Sequence, residues 1–384
     1  MLYSIQVCNF AAALPISRIL QNYQCPTIEH LDKQSGIERG GQKVKAILSL
    51  AFEKEIGGLK NVVELIKRRG AKSLAIIEEN AKSFSVERSM NGALLRIALP
   101  KTEHSLEKQF LLNLAVSFIT EGESTIAADP RSIDLLTLSR KVAKSNVNVF
   151  VNGPTGSGKE ILAQYIHKNS PRGSNAFVAI NCAAIPENML EALLFGHKKG
   201  AFTGASTASD GIFKAADGGT LLLDEVSEMS MPLQAKLLRV LQEKSVVPLG
   251  ASTAIPIDVR TLATSNRNIP QEIKFGRFRE DLYFRLNVFP LATYALNDRA
   301  ADIIPITAEL LVRHQTDLED FPIISGPALK ILHDYTWPGN VRELENVIQR
   351  ATVLRNDRFI GVEDIMIDRP MVEEDTVPAM VAQV

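Results

Sequence analysis

The sequence has 384 residues, enough for two or three domains, with 45% apolar and 23% charged residues, as in soluble globular proteins. Its net charge of −1 excludes an overall basic field for nucleic acid. Three cysteines (Cys8, Cys25 and Cys182) without metal-ligand spacing, no apolar run near the roughly 18 residues of a membrane span, and a start at Met1 without a signal peptide's basic region point to a cytoplasmic protein with no membrane contact.

In chain order, residues 4–7, 44–48 and 73–77 read as strands and residues 16–23 and 59–67 as helices, which predicts a small α/β domain over 1–104. Residues 105–119 carry Leu106, Phe110, Leu111, Leu114 and Phe118 on one face. This spacing predicts a linker helix over 105–122, which either pairs between subunits or packs into a core. Residues 145–152, with Val147, Val149 and Val151 alternating with asparagines, predict a buried strand.

A glycine loop follows, Gly153-Pro154-Thr155-Gly156-Ser157-Gly158-Lys159-Glu160, and then helical spacing over 161–167. Strand, G-x-x-x-x-G-K loop and helix in this order form a phosphate-binding loop. Glycines let backbone N–H groups close round phosphate oxygens, the helix N-terminus adds positive potential, and Lys159 supplies a cation for the β- and γ-phosphates. Glu160 occupies the position where a Ser or Thr hydroxyl commonly meets Mg²⁺, so the metal must lean on phosphates, water and Asp224. The partner motif is the apolar run Leu221-Leu222-Leu223 ending in Asp224 and Glu225. It suits a central parallel strand with its acids at the ligand crevice, Asp224 for the Mg²⁺ shell and Glu225 to polarise a water. The cofactors implied are ATP and Mg²⁺, and the fold is α/β with a P-loop parallel sheet.

Between these motifs stand Gly200, Ala201, Phe202, Thr203, Gly204 and Ala205, preceded by Leu194-Phe195-Gly196-His197-Lys198-Lys199. With this insert, residues 122–368 closely resemble the AAA+ domain of bacterial sigma-54-dependent transcriptional activators. The resemblance implies an ATPase core over 123–295 and a helical lid over 296–368. It implies a loop that meets sigma-54 of RNA polymerase, with Phe202 and Thr203 at its tip. Glu160 is usual in that family. The resemblance further implies that Asn181 couples the catalytic Glu225 to nucleotide state, that Asn266 is sensor I, and that Arg342 is sensor II. It makes Arg279 and Arg285 arginine fingers, which act on a neighbouring subunit's γ-phosphate within a ring, expected to be a hexamer. Two departures stand out: Pro154 where the family more often has Glu, and Leu296-Asn297-Asp298-Arg299 where a Leu-Arg-Glu-Arg turn is usual.

Members of that family often begin with a receiver domain. Here the first strand leads to Gln6-Val7-Cys8-Asn9 and the second to Leu48-Ser49-Leu50, without an acidic pair or an acceptor aspartate. The first domain is therefore a vestigial receiver or an unrelated sensor. After the lid, residues 369–384 are acidic and proline-containing and read as a disordered tail, too short for the helix-turn-helix with which members usually end. Contact with DNA is then expected to be indirect. Two functions follow: an ATP-driven remodeller of sigma-54 RNA polymerase that permits open-complex formation, or a non-DNA-binding co-regulator that joins rings of a paralogous activator.

Overall fold

The computed structural model describes residues 1–30, 43–122, 124–202, 206–315 and 317–367. The first domain is built from β1 (Leu2–Gln6), α1 (Ala13–Asn22), β2 (Thr27–His30), β3 (Val44–Ser49), α2 (Leu50–Ile56), α3 (Leu59–Arg68), β4 (Ala71–Ala81), β5 (Ser85–Ser89) and β6 (Leu94–Pro100). Its sheet runs β2-β1-β3-β4-β6-β5, parallel except for β5 against β6. Every residue of β1 and β3 is buried, as befits parallel strands covered on both faces. The order β2-β1-β3-β4-β6 is the doubly wound one that a receiver also uses. Between β4 and β6, however, the edge strand β5 stands where the doubly wound pattern has a helix. At the end of β3, the hydroxyl of Ser49 accepts the Phe52 N–H at 3.1 Å and caps α2, so this strand end serves a helix cap.

The predicted linker is α4 (Ser105–Thr120). It is a core helix and does not offer a free face for pairing between subunits. From Phe110 to Thr120 only Leu112 is not fully buried. Phe118 packs between Phe84 of the first domain and Phe321 of the lid, with ring centroids 6.3 and 5.0 Å away. The Tyr23 hydroxyl donates to Asn113 Oδ1 at 2.7 Å, and the buried Lys45 donates to the Ile119 carbonyl at 2.8 Å and to Glu121 at 2.7 Å. One apolar core thus joins the first domain, α4 and the lid.

The central domain comprises α5 (Pro130–Ala143), β7 (Val149–Asn152), α6 (Lys159–Lys168), β8 (Phe177–Asn181), α7 (Glu187–Phe195), α8 (Ile212–Ala215), β9 (Thr220–Asp224), α9 (Met231–Glu243), the short pair β10 (Ser245–Val246) and β11 (Ile255–Pro256), β12 (Arg260–Ser265), α10 (Ile269–Lys274), α11 (Glu280–Leu286) and β13 (Phe289–Ala292). Its five parallel strands run β13-β7-β12-β9-β8. The strand expected from 145 begins only at Val149. Before it, Asn148 uses its side chain to bind the Arg285 carbonyl and the Thr261 N–H, and the Val147 carbonyl accepts from Arg260. Arg260 is almost wholly buried and also donates to the Val142 and Ala143 carbonyls at the C-terminus of α5, where the helix dipole favours a cation.

The lid holds α12 (Ile303–His314), β14 (Ile323–Ile324), α13 (Gly326–Asp334), α14 (Asn340–Leu354) and β15 (Phe359–Ile360) around the buried Trp337, whose indole N–H donates to the Leu332 carbonyl at 2.8 Å. The predicted tail lies outside the described residues. Among those residues no helix is long and apolar enough to cross a membrane.

Candidate nucleotide site

The carboxyl ends of β7, β9 and β12 meet above α6, and a cleft of about 400 Å³ opens there. Thr155, Gly156, Gly158, Lys159, Glu160, Asn181, Asp224, Glu225, Asn266 and Arg342 all line it, so most of the residues expected from separate motifs share one site. Gly153, Pro154 and Ser157 form the back of the loop. Gly153 packs on Thr293, Pro154 accepts from the Ser157 hydroxyl at 2.6 Å, and that hydroxyl lies 2.7 Å from the Thr293 hydroxyl. At Gly156 φ is +73°, and a Cβ would stand 2.5 Å from the Gly339 carbonyl, so both conformation and the lid demand glycine.

Lys159 is buried, and its ammonium donates to the carbonyls of Gly153 (3.1 Å) and Pro154 (3.3 Å) and pairs with Glu225 Oε1 at 3.2 Å. Glu225 has φ 52° and ψ 49°, a left-handed conformation that costs a non-glycine residue about 1–2 kcal/mol. It is held by three bonds. Its N–H donates to the Thr264 hydroxyl at 3.0 Å, its Oε2 accepts the Asn266 N–H at 2.9 Å, and Oε1 faces Lys159. Strain retained by surrounding bonds is characteristic of functional positions. Asp224 accepts from the Thr264 hydroxyl at 2.5 Å and from the Asn181 amide at 2.9 Å. The side-chain oxygen of Asn181 accepts the Ala183 and Ala184 N–H groups at 2.9 and 3.2 Å, which turns its amide towards Asp224. The Asn266 amide donates to the Thr155 hydroxyl at 3.0 Å. Burial, with Asp224 and Glu225 nearby, pushes the Cys182 thiol up to about 12, so it adds no charge beside the acids.

The site fits a magnesium nucleotide. The Gly156 and Gly158 backbones line the cleft, and both Asp224 oxygens keep lone pairs beyond their single hydrogen bonds. Among the described residues no group of three acids, histidines or cysteines could hold a metal by itself. A Mg²⁺ would therefore be held by Asp224, phosphate oxygens and water, as is usual for that ion.

No local sequence pattern announces how closely the lid grips the loop. Three consecutive loop carbonyls each accept a lid donor: Thr155 from the Asn340 amide (2.9 Å), Gly156 from the Val341 N–H (3.0 Å) and Ser157 from Arg299 (2.7 Å). A trans peptide sets C=O and N–H antiparallel, so the Thr155 and Ser157 peptides turn the N–H groups of Gly156 and Gly158 away from the lid donors. Arg299, the basic residue kept in the altered hinge turn, is backed by the fully buried Asp302, which also takes the Ala128 and Asp129 N–H groups at 2.7 Å and the Ser132 hydroxyl.

Arg279 and Arg285 do not line the cleft. Arg279 precedes α11 and forks onto Asp281 at 3.0 and 2.7 Å, and Arg285 donates to the Leu241 carbonyl. Gly200, Ala201 and Phe202 stand on a surface loop. It is anchored where His197 bridges Ser209 and Leu249, and the half-exposed Phe202 packs edge-on against His197 at 5.0 Å. Thr203, Gly204 and Ala205 lie outside the described residues.

Residues 125–292 match the Sigma-54 interaction domain, and residues 297–375 match the AAA+ ATPase lid domain. The Sigma54-dependent transcriptional regulator SfnR of Pseudomonas fluorescens is 46% identical over 262 residues, which are 67% of this chain and 71% of that protein. The chain belongs to the sigma-54-dependent transcriptional activators. The Response regulator protein FleR of Pseudomonas aeruginosa is 52% identical over 253 residues (66% of this chain, 54% of FleR), and the Transcriptional regulatory protein GlrR of Escherichia coli 46% over 257 (66% and 57%). The chain thus spans little more than half the length of these two relatives of the activator family. Over 97% of its length the fold resembles NtrX from Brucella abortus in complex with ADP, with TM-score 0.59, 24% identity and 87% of that chain covered. The central domain and lid are those of an AAA+ ATPase of the sigma-54 activator family.

Proposed function

We propose that this chain binds and hydrolyses ATP with Mg²⁺ and uses the turnover to remodel sigma-54 RNA polymerase. The observation that carries the reading is the strained Glu225, held by Thr264 and Asn266 with one carboxylate oxygen against Lys159. On nucleotide binding, Lys159 exchanges Glu225 for phosphate oxygens. Glu225 Oε1 is then free to accept a proton from the attacking water, while the Asn266 N–H keeps Oε2 in place. Asp224, oriented by Thr264 and Asn181, would hold Mg²⁺ with the phosphates. Magnesium, when bound, neutralises charge developing on the phosphates.

Arg279 and Arg285 lie outside their own cleft, which supports a role in a neighbouring subunit's site and so a ring, with six subunits as the family implies. Phe202, exposed beside the His197 bridge, supports the 200–205 loop as the sigma-54 contact. The test is capture of sigma-54 by the chain loaded with ADP and aluminium fluoride, for wild type and for Phe202→Ala. Capture by wild type and loss in the variant are expected. Equal capture by both would remove the loop from the proposal.

A further inference from the structure

A second cavity, of about 520 Å³, opens where β4, β6, α4 and the lid converge. Its floor is apolar: Phe84, Phe110, Leu111 and Ile324 are all buried. The half-open wall carries Phe359, 59% exposed. Lys82 and Lys101 stand exposed at the mouth, each just past the end of a strand, and no described residue forms an ion pair with either. Arg358 adds a third cation and places its Nε on the Phe321 carbonyl at 3.1 Å. The one acid of the lining, Glu107, is already engaged. It accepts the Thr102 hydroxyl at 2.6 Å and packs on Gly326, at the start of α13. A helix N-terminus offsets that carboxylate's charge. The cavity is therefore an apolar socket with two exposed lysines at its mouth, of a size that takes a small organic ligand.

We propose that this cavity is a binding site for an amphipathic monoanion, a medium-chain aliphatic carboxylate, with its tail on Phe84, Phe110 and Ile324 and its headgroup at Lys82 and Lys101. The ligand bridges the first domain, α4 and the lid. The site does not use the phosphate cleft, and its existence is independent of ATP hydrolysis.

The test is calorimetric titration of the full chain with decanoate below its micellar concentration, with octanoate and decylamine as comparators. Saturable binding of one decanoate per chain is expected. Octanoate, two methylenes shorter, should bind about fifteenfold more weakly if each buried methylene contributes about fourfold. Decylamine should not bind. Lys82→Glu with Lys101→Glu, a surface change that leaves the packing intact, should weaken decanoate at least fivefold, and Leu111→Trp should block it by filling the floor. Absence of saturable binding, equal binding of decylamine, or decanoate binding indifferent to both the lysine and the Leu111 variants would each overturn the proposal.

Discussion

Asn340 offers a quantitative test of the grip between lid and phosphate loop. Its amide donates to the Thr155 carbonyl at 2.9 Å and its Oδ1 accepts the Leu296 N–H at 2.7 Å, both at a residue that is 4% exposed. Its φ of +56° is one that Asn tolerates and Ala does not. Replacing it with Gly removes two hydrogen bonds of about 1 kcal/mol each without backbone strain, so about 2 kcal/mol. Ala adds about 1 kcal/mol for the left-handed conformation. Asp keeps the acceptor for Leu296 but turns a carboxylate on the Thr155 carbonyl. The loop carbonyl freed in each case is the one whose peptide presents the Gly156 N–H. Most of the loss should therefore appear in phosphate binding, as a rise of about tenfold or more in the Kd of a fluorescent ADP analogue, at 1.4 kcal/mol per factor of ten. The assay is titration of wild type, Asn340→Gly and Asn340→Asp, with thermal melts alongside. A lowered melting point with unchanged ADP affinity in Asn340→Gly would refute the reasoning, because the bonds would then serve folding alone.

Further outcomes follow from the same geometry. Lys159→Ala should abolish nucleotide binding, whereas Glu225→Ala should keep ATP bound and stop its hydrolysis; filter binding and phosphate release on the same preparations separate the two. Thr203→Ala should leave ATP turnover within about threefold of wild type, since Thr203 lies far in sequence from the phosphate loop and the acids that follow it, while open-complex formation fails; collapse of turnover with sigma-54 capture intact would place the loop at the nucleotide site. At pH 8.5 iodoacetamide should label the exposed Cys8 and spare the buried Cys182, read by peptide mass. The Cys182 thiol is raised from about 9 to about 12, so its contribution to stability is present below pH 9 and is lost as pH rises towards 12. A Cys182→Ala variant should lose less stability than wild type over that range.

The elements that bear the nucleotide chemistry were legible because their reasons are local. A glycine loop between strand and helix, and acids ending an apolar run, each need only a few neighbouring residues. The lid's grip was not legible, because Asn340 and Arg299 act on carbonyls 185 and 142 residues away, and one asparagine after Pro338-Gly339 reads only as a turn. Thr264 lay within a segment whose Asn266 drew notice, yet a buried threonine in a strand signals β-propensity before it signals a bond to Asp224. The amphipathic reading of α4 underestimated its burial, since helical spacing shows one apolar face and here the lid covers the other as well. In the first domain β1, β3 and β4 were readable from their apolar runs, but β2 and β6 were not read as strands, and the replacement of a helix by β5 depends on pairing with β6, which no local pattern announces.

A catalytic ATPase site completed by a neighbouring copy is the core of the proposed function. It is tested most directly by the rate of ATP hydrolysis per subunit against protein concentration, with assembly followed by light scattering. The specific rate should rise as subunits associate, Arg279→Ala and Glu225→Ala should each be inactive alone, and mixing the two variants should restore part of the activity. A specific rate that is independent of concentration in a monomeric sample, with no recovery on mixing, would contradict it.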